Sequence, residues 1–293
     1  MIFLMIFFSL KSELKNKREA LWCELDPYPL YSSTFPSSLE KGKDVTEGGA
    51  KYNSTSLSML GTATVIDSVF SVKRLVYEEK KLTLKELVGV LNNNFAGQEE
   101  LRQYIINQIP KHGTNSEVMN EFSAGMLSDL ARMSGQTNAR GGLYLPAFYP
   151  HDLYRDLGFK TGSTPDGRLG GTPLSRGVSP SEFVETASPL DLVNSLKPID
   201  FTEYAESFCA EITLPNMPDR EKAKAILTAI MRAFLEVGGS SLQFNMVDRE
   251  MLVEARKNPE QFKNLCVRVC GYSAVFVTLD EKVQDDLIER AVR

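Results

Sequence analysis

The stretch Val267-Arg268-Val269-Cys270-Gly271-Tyr272-Ser273-Ala274-Val275-Phe276 constrains this chain more than any other. Two short apolar runs flank a single glycine. Val, Tyr and Phe suit a half-buried pleated surface. A glycine between two such runs marks a tight turn or a close backbone approach. Without a Cβ it reaches backbone angles that other residues resist. The pattern predicts an apolar hairpin from Val267 to Val277 with Gly271 at its turn. Cys270 and Gly271, neighbours in extended backbone, are expected to face opposite ways.

The rest of the chain alternates helical and extended signals. Lys11 to Cys23 reads as a helix stopped by Asp26-Pro27-Tyr28-Pro29. Gly48-Gly49-Ala50-Lys51-Tyr52-Asn53 reads as a turn in which backbone passes close to a neighbour. Val65, Val69 and Val72 lie at helical spacing within 61–77. Thr83 and Glu86 have capping-box spacing ahead of the stripe Leu84, Leu87, Val88 and Leu91. Helices are expected over 99–109 and 117–133, the latter with Val118, Phe122, Met126, Leu127 and Leu130 inward. The sequence from 141 leads toward a strand, and 179–197 reads as loop with short extended pieces. Strands are expected over 209–214 and 242–246. Asp219 caps a helix from Arg220 that Gly238-Gly239 ends, and Asp248 caps a helix to Lys257. A last helix opens near Thr278 or Asp280. Strands alternating with helices make the class α/β.

Size and charge exclude several roles. The 293 residues suffice for one large or two ordinary domains, and 42% hydrophobic residues provide a core. A formal charge of −5 offers no basic field for nucleic acid. Met1–Leu10 is apolar but far short of the ~20 residues of a spanning helix. It also lacks the basic flank of a secretion signal, so no membrane role is expected, and the run reads as irregular sequence outside the native domain. Of the four cysteines only Cys266 and Cys270 are close, with no second ligand pair for zinc. No metal is expected, and scattered cysteines fit a reducing cytoplasm. Cys209, Cys266 and Cys270 read as core thiols. His112 and His151 are single histidines with loop or surface roles.

The most punctuated segment is Thr161-Gly162-Ser163-Thr164-Pro165-Asp166-Gly167-Arg168-Leu169-Gly170-Gly171-Thr172-Pro173-Leu174. Pro165 presets φ, Asp166 can bond to backbone, and Gly167 accepts positive φ. No strand, loop and Gly-Lys-Ser/Thr helix start occurs there, so the glycines do not read as a phosphate cradle.

These motifs together resemble the C-terminal region of glycyl radical enzymes, the pyruvate formate-lyase-like family. The resemblance rests on Arg268-Val269-Cys270-Gly271-Tyr272-Ser273 followed by Val283-Gln284-Asp285-Asp286-Leu287-Ile288-Glu289-Arg290. It is extended upstream by Gln243-Phe244-Asn245-Met246-Val247-Asp248-Arg249, Thr164-Pro165-Asp166-Gly167-Arg168, Asn94-Phe95-Ala96-Gly97 with Leu101-Arg102, and Gly48-Gly49-Ala50-Lys51-Tyr52-Asn53. It implies the C-terminal half of a ten-stranded β/α barrel with surrounding helices, ending in the glycine-radical hairpin. It also implies a helical part over 11–160 and a glycine radical domain over 161–293.

Gly271 matches the position that stores a backbone radical, with Arg268, Val269, Cys270, Tyr272 and Ser273 as its loop. The 164–168 loop is expected near it, over the barrel interior. A Cα radical is stabilised by the flanking amide nitrogen and carbonyl when all are coplanar, and a side chain would crowd that plane. Such a centre needs shelter from oxygen; an open glycine far from the 164–168 bend would count against it. In the family a partner enzyme with an iron–sulfur cluster and S-adenosylmethionine installs the radical, and no cofactor is bound by the glycine enzyme itself. In the family the radical then passes to a thiyl cysteine on a separate loop well toward the N-terminus, typically with a glutamate two residues later. None of this chain's cysteines is assigned that role, and Cys209 of Cys209-Ala210-Glu211 reads as a core thiol.

Gly-Tyr-Ser resembles the dehydratase, decarboxylase and lyase branch more than strict formate acetyltransferases. The expected partners are therefore an activating enzyme, a small-molecule substrate, and an N-terminal part or homodimer partner. Two rival readings stand beside the incomplete enzyme: a radical-bearing spare-part subunit that complements a damaged enzyme, and an inactive fragment.

Overall fold

The structure, a computed structural model, describes residues 2–149, 151–184 and 188–291. The fold is α/β, with parallel strands and helices, and it divides into two compact units. One comprises Met1–Ser58, Leu127–Ala147 and Thr202–Ser207; the other comprises Met59–Met126, Phe148–Phe201 and Phe208–Arg293.

In the first unit a helix spans Ile2–Ala20. It covers most of the predicted segment from Lys11 to Cys23, Cys23 falling in a separate short helix Trp22–Leu25, and it extends back over residues 2–10, where irregular sequence was expected. Strand β1 (Thr55–Ser58) pairs in parallel with β2 (Tyr144–Phe148), Thr55 opposite Tyr144. Arg140 fastens the approach to β1. It donates to Asn53 Oδ1 at 2.7 Å and to Ser54 O and Thr55 Oγ1 at 3.0 Å. The close approach expected at the glycine pair is present. A Cβ on Gly49 would stand 2.1 Å from Lys43 O, and one on Gly48 2.3 Å from Arg140 O.

In the second unit β3 (Ser207–Leu214) and β4 (Ser241–Met246) run parallel with Glu211 opposite Gln243. The crossover between them is the helix Arg220–Glu236, as parallel pairing requires. Its start and stop are those the sequence predicts. Asp219 accepts from the amides of Glu221 and Lys222 at 3.0 and 3.1 Å, and Gly238 follows with φ +84°. Thr83 and Glu86 form the expected capping box on the helix Leu84–Asn92. After β4 come the helix Arg249–Lys257, the antiparallel strands β5 (Cys266–Arg268) and β6 (Ser273–Val275), and the helix Glu281–Arg290. These bury one apolar cluster that includes Leu252, Val267, Val269, Phe276, Leu287 and Ile288.

Other expectations fail as well. Ser188 and Asp191 cap a helix over Pro189–Leu196 where loop was expected; the Ser-x-x-Asp spacing there is a capping box, and Pro189 suits the first turn. Asp248 does not cap its own helix; its carboxylate accepts from Asn216 N at 2.8 Å. Val65 and Val69 are half exposed, and Ala63, Ile66 and Phe70 form the buried face of Thr62–Val72. Leu84, Val88 and Val118 are likewise exposed. A helix with apolar residues on most sides has the right period whichever face turns inward, so spacing alone does not select the face. Among the described residues no helix is long and apolar enough to cross a membrane.

Candidate functional site

The hairpin tip is built by β5 and β6. Arg268 is opposite Ser273, and Val269 N–H donates to Tyr272 O at 2.9 Å, leaving Cys270 and Gly271 as the two-residue connection. Gly271 has φ +76°, the left-handed region where a Cβ would be strained. Val267, Val269, Cys270 and Phe276 turn inward; Gly271, Tyr272 and Ser273 are exposed. Opposed burial of Cys270 and Gly271 is as expected. The expected burial of Gly271 itself is not found. A two-residue tip projects beyond the strands it joins, and the apolar residues of this hairpin cover the cluster beneath it instead.

Among the described residues no backbone ladder joins the hairpin to β4; side-chain amides do. Gln243 and Asn245, two apart on β4, share a face and are buried. Gln243 Oε1 accepts from Gly271 N–H at 3.0 Å and from Arg268 Nε at 2.9 Å. Its Nε2 donates to Cys209 Sγ at 3.4 Å. Asn245 presents both amide atoms to Arg268 backbone: Oδ1 accepts from its N–H and Nδ2 donates to its carbonyl, each at 2.9 Å. The sequence reading used these two residues only as part of a motif. The available signal was a pair of amides alternating with apolar residues on a strand, where one face must find buried partners.

Beneath the hairpin lies a buried ionic network. Glu211 Oε1 accepts from Arg176 Nη1 at 2.6 Å and Arg290 Nη1 at 2.9 Å. Arg290 also pairs with Asp286 at 3.0 Å, and Tyr154 donates to Asp286 at 2.6 Å. Burial pushes the Cys270 thiol up to about 12, and burial raises the Cys209 thiol and the Asp286 carboxyl. Both thiols are therefore protonated near neutrality and do not act as thiolates. Cys266 is exposed, contrary to its core reading. No group of three or more acidic, His or Cys ligands is placed to hold a metal ion among the described residues.

The 164–168 loop is wound around Arg168, which is 2% exposed. Its Nε donates to Thr164 Oγ1 at 3.2 Å; Nη1 reaches the carbonyls of Leu169 and Thr172 at 3.0 and 2.6 Å; Nη2 reaches those of Thr161 and Gly162. Asp166 Oδ1 accepts from Thr164 Oγ1 at 2.5 Å and Arg168 N at 3.3 Å. Gly167 has φ +99° after Pro165, and its carbonyl accepts from Arg102 Nε at 2.9 Å, while Asn94 Oδ1 accepts from Gly170 N at 2.7 Å. Asn94 and Arg102 belong to the upstream motif, so two separated motifs meet here. The expected meeting of this loop with the glycine hairpin is not seen as a direct bond. No hydrogen bond links residues 164–168 to 268–273 among the described residues; further along the chain, Leu174 packs on the cluster containing Cys270. His112, expected on a loop or surface, is fully buried, with Nε2 2.9 Å from Val178 O and Nδ1 3.1 Å from Ser123 Oγ.

Comparison with known proteins decides the family. Residues 3–157 match the family described as "Pyruvate formate lyase-like", and residues 174–277 the one described as "Glycine radical". The chain belongs to the glycyl radical enzyme family. It is 31% identical over 265 residues to trans-4-hydroxy-L-proline dehydratase of Clostridioides difficile, covering 90% of this chain and 34% of the relative. It is 31% identical over 279 residues to (2S)-3-sulfopropanediol dehydratase of Klebsiella oxytoca, covering 91% and 33%. The glycerol-bound B12-independent glycerol dehydratase of Clostridium butyricum superposes with a TM-score of 0.87 at 34% identity, covering 94% of this chain and 35% of that one. This glycyl radical enzyme chain thus spans about a third of the length of the relatives it matches.

Proposed function

We propose that Gly271 is the radical-storage residue of this chain, and that the chain is the C-terminal portion of a glycyl radical dehydratase or related lyase acting on a small molecule in the cytoplasm. The observation that carries the reading is the placement of Gly271 within the matched glycine radical segment, at a hairpin tip with left-handed φ and its N–H held by a buried amide. Activation removes one hydrogen atom from Gly271 Cα. The C–H bond breaks homolytically, one electron leaves with the hydrogen to the S-adenosylmethionine-derived acceptor of a radical-installing partner, and one stays on Cα. Arg268, Val269, Cys270, Tyr272 and Ser273 frame the tip, and the 164–168 loop is assigned to the same site on the family resemblance. The division into a helical part (11–160) and a glycine radical domain (161–293) goes with this reading. So does the dehydratase chemistry of these relatives, in line with Gly-Tyr-Ser.

The exposure of Gly271 bears directly on the reading. With a third of the relatives' length, this chain does not complete the shelter a stored radical needs. Exposed apolar residues such as Val65, Val69 and Leu84 also favour a covering polypeptide. The thiyl cysteine is assigned to that remaining part, because Cys209 and Cys270 are buried, and the Glu211 of Cys209-Ala210-Glu211 is engaged by Arg176 and Arg290. The same observations favour, as a second reading, a spare-part subunit that docks on a damaged enzyme.

Anaerobic incubation with an S-adenosylmethionine-dependent activating enzyme of this family gives a doublet electron-spin signal that Gly271→Ala abolishes. A doublet that survives the substitution defeats the assignment. Air admitted to the activated chain cuts it at Gly271, seen as two fragments by mass spectrometry.

A further inference from the structure

Gln243 stands out because one side chain gathers the whole polar connection of the hairpin tip. It is 7% exposed on β4, and every polar atom of its amide has a partner. The oxygen takes two donors, Gly271 N–H and Arg268 Nε–H, and the nitrogen faces Cys209 Sγ. This arrangement fixes the amide's orientation. Turned over, its NH2 would face two further donors, and a buried donor without an acceptor costs far more than a bond gained.

Asn245 holds the Arg268 backbone, accepting from its N–H and donating to its carbonyl, while the Arg268 side chain donates to Gln243. The two amides of β4 thus act in series. Asn245 fixes the base of the tip, and Gln243 fixes its far end at the residue that carries the chemistry. The apolar surface of the hairpin does not do this, since Gly271 is exposed and has no side chain to pack.

Resting on the reading of Gly271 as the radical site, we infer that Gln243 is the positioning residue for that glycine. Its side-chain carbonyl holds the Gly271 amide and so sets the direction of the Cα hydrogens at the tip. The requirement is for an acceptor of this length at this place, which Glu also supplies and which Leu, of similar bulk, does not.

The test uses the full chain and needs no activation for its first arm. Amide hydrogen exchange is followed at Gly271, with Leu87 N–H, bonded to Thr83 O at 3.0 Å in a distant helix, as the control for intact folding. Gln243→Leu speeds exchange at Gly271 by about tenfold, the worth of one hydrogen bond, and leaves Leu87 unchanged; Gln243→Glu stays close to the parent. In the second arm the same forms are activated anaerobically. The doublet yield per chain falls in Gln243→Leu and is restored in Gln243→Glu. Unchanged exchange at Gly271 in Gln243→Leu, or a doublet of equal yield in all three forms, overturns the inference. A doublet that persists in Gly271→Ala overturns instead the reading of the radical site, and the exchange arm then still decides whether Gln243 holds the tip.

Discussion

At the scale of single residues, Arg168 and Gly271 show two ways in which a motif constrains structure. Arg168 uses all five N–H donors on acceptors within residues 161–172, so its conspicuous place in Thr-Pro-Asp-Gly-Arg is explained by loop closure before any contact with substrate. Lysine offers a compact charge with three donors and cannot span acceptors arranged around a planar fork. Arg168→Lys is therefore expected to lose about 3 kcal/mol of stability by chemical denaturation; a loss within error of zero would show that the loop does not depend on the fork. His112 gives a pH signature. Burial lowers its pKa from the usual 6.5, and its neutral ring donates from Nε2 to a carbonyl and accepts at Nδ1. The unfolded state therefore binds the proton more readily. The contribution is complete above about pH 6.5 and is lost as pH falls from there through the depressed folded value. The difference in unfolding free energy between parent and His112→Gln should accordingly shrink on acidification below pH 6.5; a difference independent of pH would refute the buried neutral ring. The sequence showed Gly271 plainly, because φ and side-chain absence are local properties. It did not show His112 as a core residue, because a lone histidine has no period to place it.

At the scale of elements, caps and breakers were legible and faces were not. Thr83 with Glu86, and Asp219 before Arg220, act where the sequence puts them, because an orphan helix amide is satisfied by a residue two or three positions away. Asp219→Ala should cost about 1 kcal/mol of stability in thermal or denaturant unfolding, with no effect on Gly271 exchange. Asp248 has the same chemistry in sequence yet bonds to Asn216, since a residue from another segment competes for its carboxylate. The helix Pro189–Leu196 was missed although its cap was readable, because eight residues give too short a pattern to stand out from punctuated surroundings. The hairpin was legible as a strand, glycine and strand. Its attachment by Gln243 and Asn245 was not, since no local rule says which buried amide on one strand will meet which backbone on another.

At the scale of the molecule, the C-terminal helix is tied to β3 by charge as well as by apolar packing. Glu211 on β3 receives Arg176 from the loop after Gly170-Gly171 and Arg290 from the last helix; Arg290 in turn reaches Asp286, which receives Tyr154. Four stretches far apart in sequence thus converge on a buried set of opposite charges. The same Arg290 lies 3.5 Å from Val269 O, next to the hairpin tip. Such a set is costly to assemble and more costly to break in half, because removing one partner strands a charge in a region of low dielectric. Glu211→Gln leaves two buried guanidinium groups short of a carboxylate and should lose about 3 kcal/mol. Arg290→Met alone should lose a comparable amount, about 3 kcal/mol, by leaving Asp286 and Glu211 in excess. The double variant removes one charge of each sign, so its loss should be clearly smaller than the sum of the two. Denaturant unfolding of the four forms measures that coupling. If the losses simply add, Glu211 and Arg290 are independent, and the last helix is held on β3 by its apolar face alone.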